Sequence, residues 1–301
     1  MNNEKKIEFY KKRSVGDVLS AGADFIRQNG KVLFRNALII GGPLACLHGY
    51  FMHQYTITNP GFLMANANDA SSFYINAAFF VIIAMVLSLF LYSITTAVIA
   101  LYGEGKLTQH TGWRELKDNL FSHAKKIFVV SLFLIIAVVG LIFFIGIIYG
   151  GLASLSPVGT LILLLIIFIL LIVFAPGLSL FVYPAVFRQQ TAASSISTAF
   201  SLGFRYWGST FLVLLVSGIV MIVFTYLISG LYEIWVMFGQ KILPMGVVFD
   251  IVSYILAIIS SFATVIATPV LVIFLAFQYF NIVEREEGVS VQSEMDEFDN
   301  L

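Results

Sequence analysis

Charge is scarce in this sequence. Of its 301 residues only 11% are Asp, Glu, Lys or Arg and 59% are hydrophobic, whereas soluble domains average about 25% charged residues. Residues 127–187 form a run of 61 without one charged side chain. Runs of this length exclude an ordinary soluble protein, because a helix that crosses the hydrocarbon core of a bilayer needs about 20 apolar residues. A net charge of zero gives no indication of a nucleic-acid partner.

Cysteine is limited to Cys46, which excludes an intramolecular disulfide and a thiolate metal cluster. We expect the first apolar run, residues 37–54, to be retained as a span and not cleaved as a signal peptide. The reason is that the charged leader before it is much longer than the n-region of a signal peptide.

The apolar runs predict an all-α fold, a bundle of six transmembrane helices. The longest charge-free run must contain two spans, since one helix of that length would measure about 90 Å. We expect a turn at Ser154–Pro157. The predicted spans are residues 32–52, 72–102, 127–153, 158–187, 210–231 and 247–282.

The distribution of Lys and Arg predicts the orientation of these spans. Sixteen of the 17 basic residues fall before the second half of span one, between spans two and three, between spans four and five, or after span six, and only Lys241 falls in a loop on the other side. Because loops rich in Lys and Arg stay in the cytoplasm, we expect both termini to be cytoplasmic. The predicted location is a bacterial inner membrane.

Three amphipathic segments precede outgoing spans. Apolar residues at helical spacing follow Val15, Trp113 and Ile196, and Ser14 with Asp17 is typical of a capping box. We therefore predict three cytoplasmic interfacial helices and, with the spans, three parallel repeats. The alternative is that any amphipathic linker resembles any other.

Residues 1–283 would form a single membrane domain, followed by an acidic cytoplasmic tail over residues 284–301 that we expect to be disordered.

Four residues are candidates for contact with lipid headgroups or for interface anchoring: Arg35, Trp113, Arg205 and Trp207. Arginine extends its charged end to the interface from within a span, and tryptophan is enriched at the level of the headgroups. The spacing Gly146-x-x-x-Gly150 predicts close helix packing.

Glu233 and Asp250 are weaker candidates, for an ion or proton site. They close span five and open span six, and ionisable groups near spans are often functional. The alternative is that both carboxylates are hydrated at the membrane surface.

His48 and His53 do not have the spacing of a metal-binding pair. Prolines at 176, 184 and 269 predict kinks in spans four and six.

Enzyme motifs are absent from the sequence. It contains no HExxH, no nucleophile elbow and no phosphate-binding loop. The chain is therefore expected not to be an enzyme and to need no cofactor or metal.

One segment suggests a family. Residues 181–187, Phe-Val-Tyr-Pro-Ala-Val-Phe, are followed by an amphipathic segment from Ala192 to Phe204 and by Trp207-Gly208. This pattern resembles the membrane domain that accompanies some glycerophosphodiester phosphodiesterases, and related stand-alone six-span bacterial proteins of unassigned function. Gln189 or Gln190 stands near the position where that pattern has an acidic residue. The resemblance implies an integral inner-membrane protein without the phosphodiesterase barrel.

These observations predict a non-enzymatic membrane protein that organises or senses lipid, or holds a membrane protein partner. The alternative is a transporter or channel for a lipid-like or small amphipathic substrate. An intramembrane enzyme using Glu233 and Asp250 is a third hypothesis.

Overall fold

The computed structural model describes residues 6–58, 70–153, 157–242 and 246–290, and the fold of these residues is all-α, with helices and no strands. Six of the helices are long and apolar enough to cross a membrane, as predicted. The chain is therefore a multi-pass membrane protein. The predicted turn at residues 154–156 lies outside the described residues. The helices are α1 (Val15–Thr58), α2 (Ala70–Gly103), α3 (Trp113–Ala153), α4 (Pro157–Leu180), α5 (Tyr183–Phe187), α6 (Ala192–Arg205), α7 (Trp207–Ile242) and α8 (Val247–Glu287).

Each amphipathic segment begins at a side-chain cap. The predicted capping box is confirmed, since the Asp17 amide donates to Ser14 Oγ at 3.2 Å and the Ser14 amide donates to Asp17 Oδ2 at 3.3 Å. At the start of α3 the Gly112 amide donates to Glu115 Oε2 at 2.8 Å. At the start of α6 the Ser194 amide donates to Thr191 Oγ1. Caps of this kind supply partners to amides that the first helical turn leaves unpaired.

Only the third amphipathic segment forms a helix of its own, α6. The first two continue into α1 and α3 without a break. After α6 the chain turns at Tyr206, with φ −110° and ψ 34°. Separate interfacial helices are therefore found once and not three times in the described residues, and the threefold repeat stays a prediction.

Four of the six spans are exposed over most of their apolar length. No more than 22% of the most apolar stretch of α2, α3, α4 or α7 is buried, against 50% for α1 and 56% for α8. In a multi-pass protein these exposed faces contact lipid or another membrane protein. α1 and α8 supply most of the buried span residues.

The chain divides into two compact units. Unit A comprises Met1–Gly22, Ser122–Leu215 and Phe274–Leu301, and unit B comprises Ala23–Phe121 and Val216–Ile273. In unit A, Phe9 stacks on Phe280 with ring centroids 4.9 Å apart, so the leader before α1 is packed on the end of α8. Aromatic pairs of this kind contribute about 0.5–1.5 kcal/mol beyond their buried area.

Glycines set the closest backbone contacts in each unit. In unit A a Cβ on Gly203 of α6 would lie 2.5 Å from the amide nitrogen of Gly177 in α4. In unit B a Cβ on Gly49 of α1 would lie 2.7 Å from the Cα of Ile258 in α8. These helices approach so closely because a glycine without a side chain lies at each crossing, as is common in membrane proteins. The predicted packing glycine Gly146 is exposed, and a Cβ there would meet no atom of the described residues within 4 Å, so Gly146 makes no close helix contact in the described part of the chain; the surroundings of Gly150 lie outside what the structure describes.

The acidic tail begins later than predicted. α8 extends to Glu287, and Glu284 is buried, its Oε1 accepting a hydrogen bond from Ser290 Oγ at 2.6 Å. Two further carboxylates of this stretch form ion pairs in unit A, described below. These contacts offset the repulsion between neighbouring carboxylates. Residues 291–301 lie outside the described part of the chain.

Candidate functional site

A cavity of about 400 Å³ lies in unit A between α3 and the turn that precedes α6. α3 contributes a hydroxyl, two lysines and two valines, and the turn contributes the opposite wall. The lining residues are Ser122, Lys125, Lys126, Val129, Val130, Ala185, Gln190, Thr191 and Ala192.

The sequence explains why α3 presents a wall that is basic at one end and apolar at the other. Its lining residues recur at intervals of three and four, which places them on one face of a helix. The long charge-free run begins directly after Lys126. The lysines therefore stand at the edge of the membrane span, and Val129 and Val130 stand one turn inside it.

The opposite wall depends on a tight turn after α5. Gln189 has φ +56°, a left-handed conformation that costs a non-glycine residue roughly 1–2 kcal/mol. Its side-chain oxygen accepts a hydrogen bond from the Lys126 ammonium. The Gln190 amide donates to the Pro184 carbonyl at 3.3 Å, which brings residues 190–192 back against α3.

Gln190 carries an unsatisfied polar atom. Its Oε1 is buried and has no hydrogen-bond partner within the described residues, although the side chain lines the cavity. A buried acceptor without a donor costs about 1–3 kcal/mol. The cavity thus combines two cations and two hydroxyls with an apolar end, a combination suited to an amphipathic anion.

Ion pairs in the same unit fix the end of α8. Arg188 donates to Glu287, and Arg205 donates to Glu286. Burial, the largest single influence, lowers the pKa of Arg188, but the hydrogen bond to Glu287 and the electrostatic effects of Glu287, Tyr279 and Tyr10 together outweigh burial and raise that pKa. Arg188 therefore stays charged beside the turn that forms the cavity wall.

The leader is held at the same end of α8. The Arg13 amide donates to Asn281 Oδ1 at 2.7 Å, and Arg285 Nη2 donates to the Arg13 carbonyl at 2.6 Å. Burial raises the pKa of the nearby Tyr10 hydroxyl. The leader is consequently a packed part of unit A, with its backbone hydrogen bonds satisfied by side chains of α8.

Unit B contains a buried histidine within the spans. His53 is fully buried, its Nδ1 lies 3.1 Å from the Tyr232 hydroxyl, and its Nε2 has no partner in the described part of the chain. Tyr232 also hydrogen-bonds Thr56, whose hydroxyl donates to the Met52 carbonyl at 2.8 Å. Because the Thr56 hydroxyl donates to Met52, the Tyr232 hydroxyl donates to Thr56, and the His53 Nδ1–H donates to Tyr232. His53 Nε2 then carries the free lone pair.

The predicted candidates Arg35 and Trp113 lie in unit B. Arg35 donates to the carbonyls of Gln109 and Thr111, at 3.1 and 2.5 Å, so it fastens the loop between α2 and α3. Trp113 is 45% exposed and packs edge-on against Phe121. Leu116 and Leu120, which belong to the amphipathic segment that begins at Trp113, are fully buried. One half of the apolar residues of this segment therefore packs in protein, and the other half remains exposed.

Arg205 and Trp207 lie in unit A. Arg205 pairs with Glu286, as described above, while Trp207 Nε1 donates to the Val173 carbonyl at 3.0 Å. The indole also stacks on Phe211 with ring centroids 4.8 Å apart. Both residues position the start of α7, and neither is among those that line the cavity.

Glu233 and Asp250 differ in their surroundings. Glu233 is exposed, and Asp250 is half-buried and acts electrostatically on His53 and Tyr254. No pattern in the sequence predicts a carboxylate near His53. No group of three His, Cys, Asp or Glu side chains that would hold a metal ion occurs in the part of the chain that the structure describes.

Sequence reasoning missed the cavity residues. Lys125 and Lys126 counted only toward the orientation of the spans, and Gln190 only toward the family resemblance. A signal was present, since adjacent lysines directly before a charge-free run indicate a basic edge at the interface. Their partner across the cavity follows only from the turn at Gln189, which the sequence does not predict.

Comparison of the chain with protein-family models, with curated proteins and with solved structures gives no match. The resemblance to the membrane domain of glycerophosphodiester phosphodiesterases therefore stays a prediction.

Proposed function

We propose that this protein is a non-enzymatic integral protein of a bacterial inner membrane that binds phospholipid from the cytoplasmic leaflet and thereby organises or senses lipid. The observation that carries this proposal is the cavity with lysines at one end and valines at the other. A phospholipid has the matching division, with an anionic phosphate beside apolar chains. Basic pockets at the cytoplasmic ends of membrane helices are typical sites for anionic headgroups.

Position relative to the membrane supports this assignment. The cavity lies where the charge-free run begins, so its basic end would meet the headgroup region and its apolar end the acyl region. The excess of Lys and Arg on the side of both termini favours the cytoplasmic leaflet. Paired cytoplasmic and periplasmic reporters fused after Leu301 test the orientation, and periplasmic activity would contradict it.

Lipid that co-purifies with the protein tests the proposal directly. The full chain would be extracted in mild detergent and its bound lipid measured by native mass spectrometry. We expect retained phospholipid that is lost in Lys125→Gln/Lys126→Gln. Lys117→Gln is the matched control, because Lys117 is an exposed lysine two turns earlier in α3. A wild-type protein that retains no phospholipid would refute the function.

A membrane protein partner is the second form of this proposal, since the exposed apolar faces of α3 and α4 would also suit another helix. Trp113→Ala and Trp207→Ala separate these forms. Loss of one co-purifying protein with lipid unchanged would favour scaffolding over lipid binding.

Transport is the alternative function, and the buried His53–Tyr232 pair favours it. Polar groups within a span are costly and often mark a substrate or proton route. The test is flux of protons and small solutes in proteoliposomes. Transport that is abolished by Asp250→Asn and is unchanged by Lys125→Gln/Lys126→Gln would establish this function in place of lipid binding.

A further inference from the structure

We propose that the cavity of unit A selects a phospholipid whose headgroup is an ionised phosphate monoester, as in phosphatidate, over lipids whose phosphate is a diester. This inference rests on the proposed function and names its ligand class. The observations that carry it are the charge and the hydrogen-bonding character of the accessible groups that line the cavity.

The described wall of the cavity has two positive charges and no negative charge. Lys125 and Lys126 are adjacent on α3, and none of the described lining residues carries a carboxylate. A phosphate diester has one negative charge, whereas a phosphate monoester has a second pKa of about 6 and carries about 1.5 to 2 negative charges at pH 7. A monoester therefore matches the charge of both lysines, and a diester leaves one lysine uncompensated.

The charged groups of this wall are donors of hydrogen bonds. An ammonium has three donors and no acceptor. Lys126 uses one donor on Gln189 Oε1, and Lys125 is exposed. The Gln190 Oε1 atom can only accept, but it is buried, so a ligand in the cavity does not reach it. The wall consequently favours a headgroup rich in acceptors, and a monoester has three terminal oxygens where a diester has two.

Two hydroxyls and the start of α6 add to this preference. Thr191 Oγ1 accepts from the Ser194 amide at 3.4 Å, so its hydroxyl hydrogen is available to an acceptor. Ser122 supplies an exposed hydroxyl from α3. Ala192, the first residue of α6, also lines the cavity, so the positive end of that helix dipole lies beside it. These groups strengthen the positive potential that the two lysines create.

The size of the cavity suits one phosphate. Its volume of about 400 Å³ lies at the small end of the range for ligand sites, about 300–1,000 Å³. The hydrogen bond from Lys126 to Gln189 holds one ammonium in place before a ligand binds, which reduces the side-chain freedom lost on binding. The acyl chains of the lipid would continue past Val129, which is exposed at the apolar end.

Two lipids that differ by one methyl group test this selection. Phosphatidylmethanol is phosphatidate with a methyl ester on its phosphate, so it lacks the second charge. The full chain would be reconstituted into nanodiscs that contain both lipids at equal amounts in a phosphatidylcholine background, at a pH of about 8, where the monoester is doubly charged. Lipid retained after extraction in mild detergent would be counted by native mass spectrometry. We expect a preference for phosphatidate of about tenfold, the effect of one further hydrogen bond to a charged group.

Substitutions of one lysine test whether charge decides the preference. Lys125→Gln leaves one cation, so we expect the preference to fall to about twofold or less while phosphatidylmethanol binding persists. Lys125→Arg keeps the charge and should keep the preference. Because Lys125 is exposed, neither change should disturb folding. Lys117→Gln is the matched control, since it removes an exposed lysine of the same helix that does not line the cavity. A preference that is unchanged in Lys125→Gln would overturn the inference.

The failures are distinguishable. A wild-type chain that binds neither lipid refutes the proposed function together with this inference. Equal binding of the two lipids, lost in Lys125→Gln/Lys126→Gln, refutes only the selection of a monoester. Cardiolipin carries two charges on two separate diesters, and its retention in preference to phosphatidate would likewise refute that selection.

A soluble competitor separates a lipid headgroup from a free phosphate ester. Glycerol phosphate is the same monoester without acyl chains. We expect it to displace phosphatidate only at a large excess, because it lacks the contacts of the apolar end. Displacement at the same concentration as the lipid would assign the cavity to a soluble phosphate ester and overturn the lipid assignment.

Discussion

Units A and B differ in their long-range polar contacts, because ion pairs join distant residues in unit A, whereas the described ion pairs of unit B are local. In unit A arginines bind carboxylates and carbonyls, as Arg188, Arg205 and Arg285 show. In unit B most such contacts join neutral groups, for example His48 to Ser261 and Gln54 to Tyr254. The ion pairs of unit B join residues two or three positions apart.

The difference follows from the cost of moving charge out of water. A charged group within a span costs several kcal/mol, whereas a neutral group with a hydrogen-bond partner costs far less. Unit A has its ion pairs at the end of α8, beyond the apolar run, and unit B has its neutral pairs inside α1, α7 and α8. We therefore expect salt to affect unit A and to leave unit B nearly unchanged.

The largest expected effect is that of Gly49→Ala in unit B. The added Cβ would lie 2.7 Å from the backbone of Ile258, so α1 and α8 must separate, at a cost of about 3 kcal/mol. Thermal unfolding in detergent measures the loss. Gly218→Ala is the control, because a Cβ there meets nothing and alanine is the better helix former. Equal stability of Gly49→Ala and wild type would contradict the close crossing.

Next in size is Asn281→Leu in unit A. This change removes the acceptor for the Arg13 amide and for Arg285 Nε, and an unsatisfied buried amide costs about 1–3 kcal/mol. We expect the leader to detach and to become sensitive to limited proteolysis. Lys12→Ala, at an exposed neighbour, should leave it protected. A leader that stays protected from proteolysis in the Asn281 variant would show that the aromatic contacts suffice to hold the leader on α8.

Tyr232→Phe tests the neutral contacts of unit B. Loss of the hydroxyl leaves His53 Nδ1 without its partner, so we expect a destabilisation of about 1–2 kcal/mol. The effect should be the same at low and high salt. Tyr226→Phe, at an exposed tyrosine of the same helix, is the matched control. A strong dependence on salt would break the contrast between the units.

Much of the fold follows from the sequence, because apolar length alone decides which helices span a membrane. Two local features also followed from residue type, namely the capping box at Ser14 and Asp17 and the buried faces of Leu116 and Leu120. The glycine contacts did not follow. Gly146 had the expected spacing but meets no neighbour among the described residues, whereas Gly49 and Gly203 have partners in distant segments that no local pattern identifies.

The candidate site was also hard to predict, because contacts between distant segments bring its residues together. Lys125 and Lys126 are visible in the sequence as a basic edge, but their relation to Gln190 depends on one left-handed residue, Gln189. Glutamine rarely takes that conformation. The continuous helices α1 and α3 were also missed, since an amphipathic stretch and an apolar stretch look like separate elements when only their composition is compared.

Arg205→Gln should have a small effect in unit A. Arg205 pairs with Glu286 but is itself 61% exposed, and exposed pairs contribute about 0–1 kcal/mol. A double-mutant cycle with Glu286→Gln would isolate the coupling, which we expect to decrease as salt is added. Coupling that is larger and independent of salt would indicate that the pair is shielded from water.

The smallest effect is expected for Glu233→Gln in unit B. Its carboxylate is exposed, and surface substitutions usually change stability by less than about 0.5 kcal/mol. Unfolding temperature and any transport or lipid binding should match wild type. A loss of activity at unchanged stability would restore Glu233 as a candidate for an ion or proton site.

The placement of tryptophan gives each unit a spectroscopic reporter. Trp207 donates a hydrogen bond in unit A, and Trp235 donates one in unit B, to Ser253 Oγ at 3.0 Å. The third tryptophan is the exposed Trp113. With Trp113 replaced by phenylalanine, single-tryptophan chains would carry either indole alone. The emission of each would then report whether the two units unfold together or at different temperatures.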